Sequence, residues 1–227
     1  MLDSKENMEA FPATHPLSGH EETLDQLRDC GRLFHQRGWS VGTSSNYSAV
    51  LKHDPAELLI TASGKDKGRL ERSDFVHIGP DGSGIEPNQP KSSAETMLHV
   101  VLAELPDVGS VLHTHSVWGT LLSDYYFDSG AIEISGYEML KGLEGTPTHE
   151  TTHTVPIFEN TQDIATLAAE IRTQLADPSF SMTHGFLMRK HGLYTWGKDI
   201  AAARRHVEVY EFLFECEGRK LALPGKK

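Results

Sequence analysis

Two histidines one residue apart, in the segment Val111-Leu112-His113-Thr114-His115, form the sharpest chemical pattern of the sequence. The apolar residues before them predict a strand that ends at this point. Side chains two residues apart on a strand point to the same face of the sheet. The spacing therefore predicts two neighbouring imidazoles, which suit a metal ion such as Zn²⁺. On this motif alone, two polar residues that merely end a strand are the more common case.

A third ligand is expected from the end of another strand. Phe186-Leu187-Met188 is typical of a buried strand, and Arg189-Lys190-His191-Gly192 follows it directly. Gly192 allows the backbone to turn just after the imidazole. We therefore predict His191 as the third ligand. His206 is the weaker alternative, because it lies inside the predicted last helix.

The segment His149-Glu150-Thr151-Thr152-His153 has the His-Glu-x-x-His pattern of zinc proteases. That pattern binds zinc only on a helix, where residues four apart share a face. Here Pro147 and Pro156 flank the segment, and threonine is a weak helix former. We therefore do not expect a protease site.

Short turns rich in glycine, serine and threonine could hold an anion through hydroxyl and backbone N–H groups. They are Gly42–Asn46, Thr61–Gly68 and the pair Ser92-Ser93. The last pair precedes a predicted helix, whose N-terminal dipole favours negative charge. Together the turns predict a phosphate site, although each alone is more often an ordinary turn. Neither a Gly-x-Gly-x-x-Gly helix start nor a Walker A motif supports a nucleotide site.

Two glutamates lie close to these motifs. Glu95 follows Ser92 by three residues, which is the spacing of a capping box, so the spacing favours a structural role at least as much as a catalytic one. Glu138 lies in the segment Gly136–Gly142, where a solvated role is the more common one.

The elements that must position these groups form a mixed pattern of helices and strands. Helices are predicted from Ser18, which has a capping box with Glu21, to Gly38, from Ala94 to Leu105, from Ala165 to Leu175 and from Asp199 to about Leu221. Strands are predicted at Ala49–Leu51 and Leu58–Thr61 as a hairpin, and at Phe75–Ile78, Val108–His113 and Phe186–Met188. Because helices and strands do not alternate strictly, we expect a three-layer α/β/α sandwich with a mixed, largely antiparallel sheet. It would span residues 18–227 after a flexible arm, residues 1–17.

The composition limits the class of protein. The 227 residues include 21 basic and 32 acidic ones and carry a net charge of −11, which argues against non-specific binding to nucleic acid or anionic membranes. Cys30 and Cys216 are the only cysteines, which excludes a disulfide scaffold and a cysteine zinc site. With neither a signal-peptide pattern nor a membrane-length apolar run, we expect a cytoplasmic protein.

Several motifs, in this order, resemble those of the class II aldolase/adducin family from about Leu24 to Gly218. They are Gly42–Asn46, Ile60–Gly68, Ser92–Thr96, His113–Ser116, Val155–Thr161 and Lys190–Gly197. The resemblance implies an α/β/α sandwich with one zinc ion per subunit. It also implies a homotetramer whose active site lies near a subunit interface.

Residue by residue, the resemblance implies three groups of site residues. The metal ligands would be His113, His115 and His191. The phosphate- and substrate-binding residues would be Asn46, Ser63, Gly64, Lys65, Ser92 and Ser93. The catalytic carboxylates would be Glu138, as acid and base, and Glu95, which matches a catalytic position of the sugar-phosphate aldolases.

The turn Ser63–Gly68 and the run Pro156–Thr161 are similar to those of the dehydratase branch of the family. This implies a lyase of methionine salvage that converts 5-methylthioribulose 1-phosphate to 5-methylthio-2,3-dioxopentyl phosphate. One alternative is an aldolase or 4-epimerase acting on a related phosphate of fuculose or ribulose. Another is a metal-free scaffold such as adducin.

Overall fold

The computed structural model describes residues 11–177 and 184–223. Within these ranges, five helices are α1 (Glu21–Gln36), α2 (Thr96–Ala103), α3 (Val117–Tyr125), α4 (Ile164–Ala176) and α5 (Ile200–Ala222). Eight strands are β1 (Asn46–His53), β2 (Ala56–Thr61), β3 (Phe75–Ile78), β4 (Ser110–Thr114), β5 (Ala131–Ser135), β6 (Thr152–Phe158), β7 (Gly185–Met188) and β8 (Gly192–Gly197). Short 3₁₀ helices include Lys67–Arg69 and Glu138–Gly142. None of the helices in the described part of the chain has the length and apolar character of a membrane span.

The strands form one sheet in the order β3-β2-β1-β4-β8-β7-β6-β5. The pairing is antiparallel throughout, except that β6 and β7 are parallel. This confirms the predicted mixed, largely antiparallel sheet. The central neighbours β4 and β8 place His113 opposite Tyr194. Because His191 directly precedes β8, this pairing brings the two histidine motifs to the same end of the sheet.

Helices cover both faces of the sheet. On one face, α2 and α4 pack through a cluster that includes Leu98 and Ile171. On the other face, α1 and α5 contribute Phe34 and Val207 to a second cluster, and α3 contributes Leu122 to a third. These buried apolar contacts produce the predicted three-layer sandwich.

The sequence patterns located most of these elements but missed four of them. The hairpin of β1 and β2, strand β3, and helices α4 and α5 are confirmed. The missed elements are α3, β5, β6 and β8. Strand β6 begins inside the His-Glu-x-x-His segment, so that segment is not helical, as predicted. Its threonines suit a strand because β-branched side chains fit a pleated surface.

The predicted capping box at the start of α1 is wrong. The helix begins at Glu21 after His20, which makes no side-chain capping bond. The carboxylate of Glu21 instead accepts a hydrogen bond from the backbone N–H of Phe11 at 3.2 Å. The local pattern was therefore overridden by a contact with the preceding segment.

That preceding segment is packed in its described part. Residues 1–10 of the predicted arm lie outside the described residues. The ring of Phe11 stacks on that of His15, with centroids 4.1 Å apart. Leu17 is buried in the cluster that includes α1 and α5. Packed structure thus begins before the predicted boundary at Ser18, while the division into arm and domain stays a prediction.

We expect Asp199→Ala to lower the free energy of unfolding by about 1 kcal/mol, measured by urea denaturation. The reason is that the carboxylate of Asp199 caps α5 by accepting a hydrogen bond from the backbone N–H of Ala202 at 2.7 Å. The matched control is Ser18→Ala, which should change stability by less than about 0.5 kcal/mol because no capping bond is lost. Equal losses in the two variants would contradict this prediction.

Candidate metal centre and active site

Three imidazoles converge where β4 ends and β8 begins. The Nε2 atom of His191 lies 3.3 Å from Nε2 of His113 and 3.2 Å from Nε2 of His115. One ligand nitrogen from each ring lies within 4.8 Å of the other two. His206, the weaker alternative, lies elsewhere, and its Nδ1 donates to the backbone carbonyl of Trp196 at 2.7 Å. The structure therefore brings together the three histidines that the sequence patterns selected.

Hydrogen bonds at the Nδ1 atoms, on the side of each ring away from the cluster, determine which ring nitrogen keeps a lone pair. Nδ1 of His113 lies 2.9 Å from the carbonyl oxygen of Leu193, and Nδ1 of His191 lies 3.3 Å from Oδ1 of Asn160. Because these oxygens can only accept, both Nδ1 atoms carry the proton and both Nε2 atoms keep a lone pair. Lone pairs that face one another across about 3 Å fit a shared cation, and the outer hydrogen bonds are those typical of metal-binding histidines. The residues present therefore fit a divalent metal ion.

Burial keeps these rings neutral. Desolvation lowers the pKa of His113 well below its usual value. It also lowers the pKa of His115 to about 4, with a further contribution from His191. The pKa of His191 is lowered by desolvation and raised by the nearby carboxylate of Glu95. Neutral imidazole is the form that binds metal, so the cluster is in its ligand form near neutral pH.

Glu95 lies against two of the three rings. Its Oε1 is 3.1 Å from Nε2 of His191, and its Oε2 is 3.6 Å from Nε2 of His113. Oε2 also accepts hydrogen bonds from the hydroxyl of Tyr194 and from Nδ2 of Asn46, each at 2.9 Å. Its side chain makes no capping bond to α2, so the predicted capping box is wrong. The carboxylate belongs to the site instead.

A chain of buried hydrogen bonds supports Glu95 from behind. Nε2 of His99 is hydrogen-bonded to Oδ1 of Asn46, and the hydroxyl of Ser48 lies 2.7 Å from Nδ1 of the same ring. Burial lowers the pKa of His99 to about 3, so this ring is neutral. A neutral ring that donates from Nε2 accepts at Nδ1. Because Nε2 of His99 donates to Oδ1 of Asn46, the NH₂ group of that amide is directed towards Glu95. A lone histidine within the apolar run Leu98–Ala103 was the sequence signal for this network.

A cavity of about 340 Å³ opens beside His115. The predicted phosphate residues that line it are Asn46, Ser63, Gly64 and Ser93. Lys65 and Ser92 do not line it. Nζ of Lys65 pairs with Asp74 at 2.7 Å, and the hydroxyl of Ser92 points to the carbonyl of Gly82 at 3.5 Å. The turns thus form a pocket beside the histidines, but two of the predicted side chains turn away from it.

Glu138 does not line this cavity in the single chain. It lies at the start of the 3₁₀ helix Glu138–Gly142, and its side chain is 69% exposed. It pairs with Lys141 at 2.5 Å and with His149 at 3.0 Å. The hydrogen bond from Lys141 lowers the pKa of this carboxyl group. Its acid/base role stays a prediction.

Two further site residues were not indicated by the sequence patterns. The ring of Tyr194 stacks on that of His113 with centroids 3.9 Å apart, and its hydroxyl reaches Glu95. Recognising β8 as a strand would have placed Tyr194 opposite His113. Lys67 also lines the cavity. It is the second lysine of the turn Ser63–Gly68, and its place in that motif could have indicated it.

A family model described as the class II aldolase and adducin N-terminal domain matches residues 25–217. The chain belongs to the class II aldolase and adducin family. A methylthioribulose-1-phosphate dehydratase of Marinobacter nauticus is 47% identical over 190 residues, which cover 83% of this chain and 89% of that relative. A protein of the same name from Pseudomonas aeruginosa is 46% identical over 204 residues, covering 89% and 97%.

Solved structures of class II aldolases share the fold. The L-fuculose-1-phosphate aldolase of Thermus thermophilus gives a TM-score of 0.68 at 20% identity, covering 90% of this chain and 99% of that one. A sugar-phosphate aldolase of Thermotoga maritima gives 0.62 at 19% identity, covering 92% and 98%. These likenesses support the architecture, and the family match confirms the resemblance seen in the motifs.

We expect the metal-free protein to lose stability as the pH falls from about 6.5 towards 4. In the unfolded chain His99 takes up a proton near its usual pKa, whereas in the folded protein its pKa is about 3, so acid favours unfolding. The variant His99→Gln lacks this group, and its free energy of unfolding should fall less steeply by up to about 1.4 kcal/mol per pH unit. Urea unfolding in chelator over a pH series measures the slopes. Parallel slopes in the two proteins would contradict the neutral ring.

Proposed function

We propose that this protein is a metal-dependent lyase that dehydrates 5-methylthioribulose 1-phosphate to 5-methylthio-2,3-dioxopentyl phosphate in methionine salvage. The observation that carries the proposal is 46 and 47% identity to methylthioribulose-1-phosphate dehydratases over most of both chains. The histidine cluster beside a polar cavity supports it. The cytoplasmic location stays a prediction from cysteine usage.

We propose that His113, His115 and His191 bind one zinc ion per subunit. Three protein ligands with room for substrate are typical of catalytic zinc sites. Imidazole also suits other divalent ions, so the choice of zinc rests on the family resemblance. A divalent ion bound there would polarise a substrate carbonyl and stabilise the negative charge that develops on it.

The cavity turns are proposed to bind the phosphate end of the substrate. Ser63, Gly64 and Ser93 offer hydroxyl and backbone N–H groups on the cavity wall. Gly64 has a φ of 72°, a left-handed conformation that glycine adopts without a steric penalty. Phosphate binding at a distance from the reacting carbons provides binding energy that aligns them with the catalytic groups.

Dehydration requires two proton movements. A base removes the C3 proton, and the electron pair of that C–H bond forms an enediolate with the C2 carbonyl. The C4–O bond then breaks, and the leaving hydroxyl takes a proton to become water. Ketonisation of the resulting enol gives the diketone. We assign both transfers to Glu138, which the family resemblance implies as acid and base. One positioned carboxylate typically increases the reaction rate by about 10²–10⁴-fold. Glu95, already beside the imidazoles, is the next candidate.

We propose that Glu138 serves the cavity of a neighbouring subunit in a homotetramer. It is exposed and lies outside the cavity of its own chain. Helix α3, which begins just after the His-x-His motif, exposes Val117, Leu121 and Tyr125 by 66, 55 and 65%. Their spacing of four residues places them on one helix face. An exposed apolar face beside the site supports contact with a second copy.

A turnover assay with 5-methylthioribulose 1-phosphate tests the proposed reaction. We expect the ultraviolet absorbance of the diketone to appear, to be abolished by a chelator and to return with added zinc. His113→Ala should fold yet lose stoichiometric metal, whereas His20→Ala, outside the cluster, should keep it. Metal content by mass spectrometry and circular dichroism give these readouts. Release of an aldehyde would instead indicate aldol cleavage, and a full complement of metal in His113→Ala would refute the ligand assignment.

Complementation between inactive subunits tests the position of Glu138. Glu138→Gln should keep its metal but lose turnover by at least about a hundredfold. Co-assembled with His113→Ala, it should recover about a quarter of wild-type activity, because a quarter of the shared sites then have both partners intact. The control mixture, His113→Ala with His191→Ala, should stay inactive. Wild-type rates in Glu138→Gln alone would transfer the acid/base role to Glu95.

A further inference from the structure

Lys67 carries the only lysine or arginine side chain among the residues described as lining the cavity beside His115. The side chain is buried, with the residue 1% exposed. Its Nζ donates to the backbone carbonyls of Lys65 at 2.8 Å and Thr43 at 3.4 Å. Of the two nearby carboxylates, Asp74 pairs with Lys65 and Asp66 pairs with Arg69. No carboxylate in the described part of the chain forms an ion pair with Lys67.

A buried ammonium group is costly unless an opposite charge compensates for it. The two carbonyls satisfy two of its three donors but carry no formal negative charge. Desolvation lowers the pKa of Lys67 to about 8, against the opposing effects of Asp66 and Asp74, so the group is still charged near neutral pH. This environment favours an anionic ligand at Nζ.

The backbone around Lys67 is held firmly. A Cβ atom at Gly31 of α1 would lie 2.3 Å from the carbonyl oxygen of Lys67, so only glycine allows this close approach of the helix. Asp66 caps the 3₁₀ helix by accepting from the N–H of Gly68 at 2.9 Å. The carbonyl of Lys67 thus faces α1 while its side chain reaches the cavity. The position of the ammonium group is therefore set by the packing of the fold.

The other anion-binding groups of the cavity are neutral. Ser63, Gly64 and Ser93 can donate hydrogen bonds, but they do not balance the charge of a phosphate monoester, which is about −1.5 to −2 near neutral pH. Lys67 adds the missing positive charge to the lining of the same cavity, and its hydrogen bonds to an anion would be the stronger, charge-assisted kind. The lining of the cavity then combines one cationic side chain, Lys67, with the imidazole of His115 and the carboxylate of Glu95.

We propose that the ammonium group of Lys67 is the counter-charge for the substrate phosphate and the main determinant of selectivity for phosphorylated over unphosphorylated ketoses. The identity of the ketose rests on the proposed function above, whereas the affinity for phosphate rests on this cavity alone. Lys67, and not Lys65, is then the lysine of the turn that recognises the substrate.

Titration calorimetry of the metal-loaded protein with inorganic phosphate tests the assignment. Lys67→Met should weaken phosphate binding by about ten- to a hundredfold, the loss expected for a charge-assisted hydrogen bond. Lys65→Met, the same substitution two residues away, should bind phosphate as the wild type does. Binding unchanged by Lys67→Met, or weakened equally by both substitutions, would overturn the assignment.

The phosphorylated substrate and its unphosphorylated analogue provide a second readout. Lys67→Met should raise the KM for the phosphorylated ketose by a similar factor, change kcat by much less, and reduce the preference for the phosphorylated form. An unchanged KM would overturn the role in selectivity. If no variant turns over this ketose but phosphate binding still depends on Lys67, the proposed function fails and the phosphate assignment stands.

Unfolding experiments separate this role from a structural one. Without phosphate, Lys67→Met should be at least as stable as the wild type, because methionine fills a buried site without an uncompensated charge. Added phosphate should raise the unfolding midpoint of the wild type and leave that of the variant nearly unchanged. A loss of stability that is the same with and without phosphate would show that Lys67 only ties its turn together, and would overturn the proposal.

Discussion

The close approach of β4 and β8 is the constraint on which the site depends. A Cβ atom at Gly192 would lie 1.9 Å from the carbonyl oxygen of Thr114, so this contact requires glycine. Because His191 directly precedes Gly192, the same approach sets its distance from His113 in β4 and from His115 just after it. The turn before it is strained, since Lys190 has a φ of 53°, which costs a non-glycine residue about 1 kcal/mol. The packing of the two strands compensates for that strain.

Both helical layers then hold the strand end in place. From one face, α2 presents His99, while Glu95 at its N-terminus reaches the imidazoles. From the other face, Glu211 of α5 accepts a hydrogen bond at 2.9 Å from the hydroxyl of Thr114, the residue between the two histidines. Burial raises the pKa of Glu211 to about 7, so it can bind this segment without a full buried charge. A cluster supported from two layers is pre-organised, which metal binding and catalysis both require.

The sequence predicted features that depend on local interactions and missed features that depend on contacts between residues far apart in the chain. The His-x-His spacing succeeded because the alternation of side chains along a strand is local. The capping box at Glu95 failed because a cap contributes only about 1 kcal/mol, and hydrogen bonds from Tyr194 and Asn46 outweigh it. The sequence pattern selected Lys65 and not Lys67, because no local signal shows that Lys65 pairs with Asp74 while Lys67 lines the cavity. The proposed role of Glu138 requires a second chain, which no local pattern describes.

An acidic protein can select an anion through one local positive charge. The net charge of −11 is a property of the whole protein, and salt screens its exposed charges beyond about 8 Å. Lys67 is buried, and there a charge interacts more strongly because water no longer shields it. Even at an effective dielectric constant of 20, two unit charges 4 Å apart attract by about 4 kcal/mol, whereas the same pair in bulk water attracts by about 1 kcal/mol. Net charge therefore governs non-specific partners, whereas the sign of the substrate is decided by one desolvated side chain and the turn that holds it.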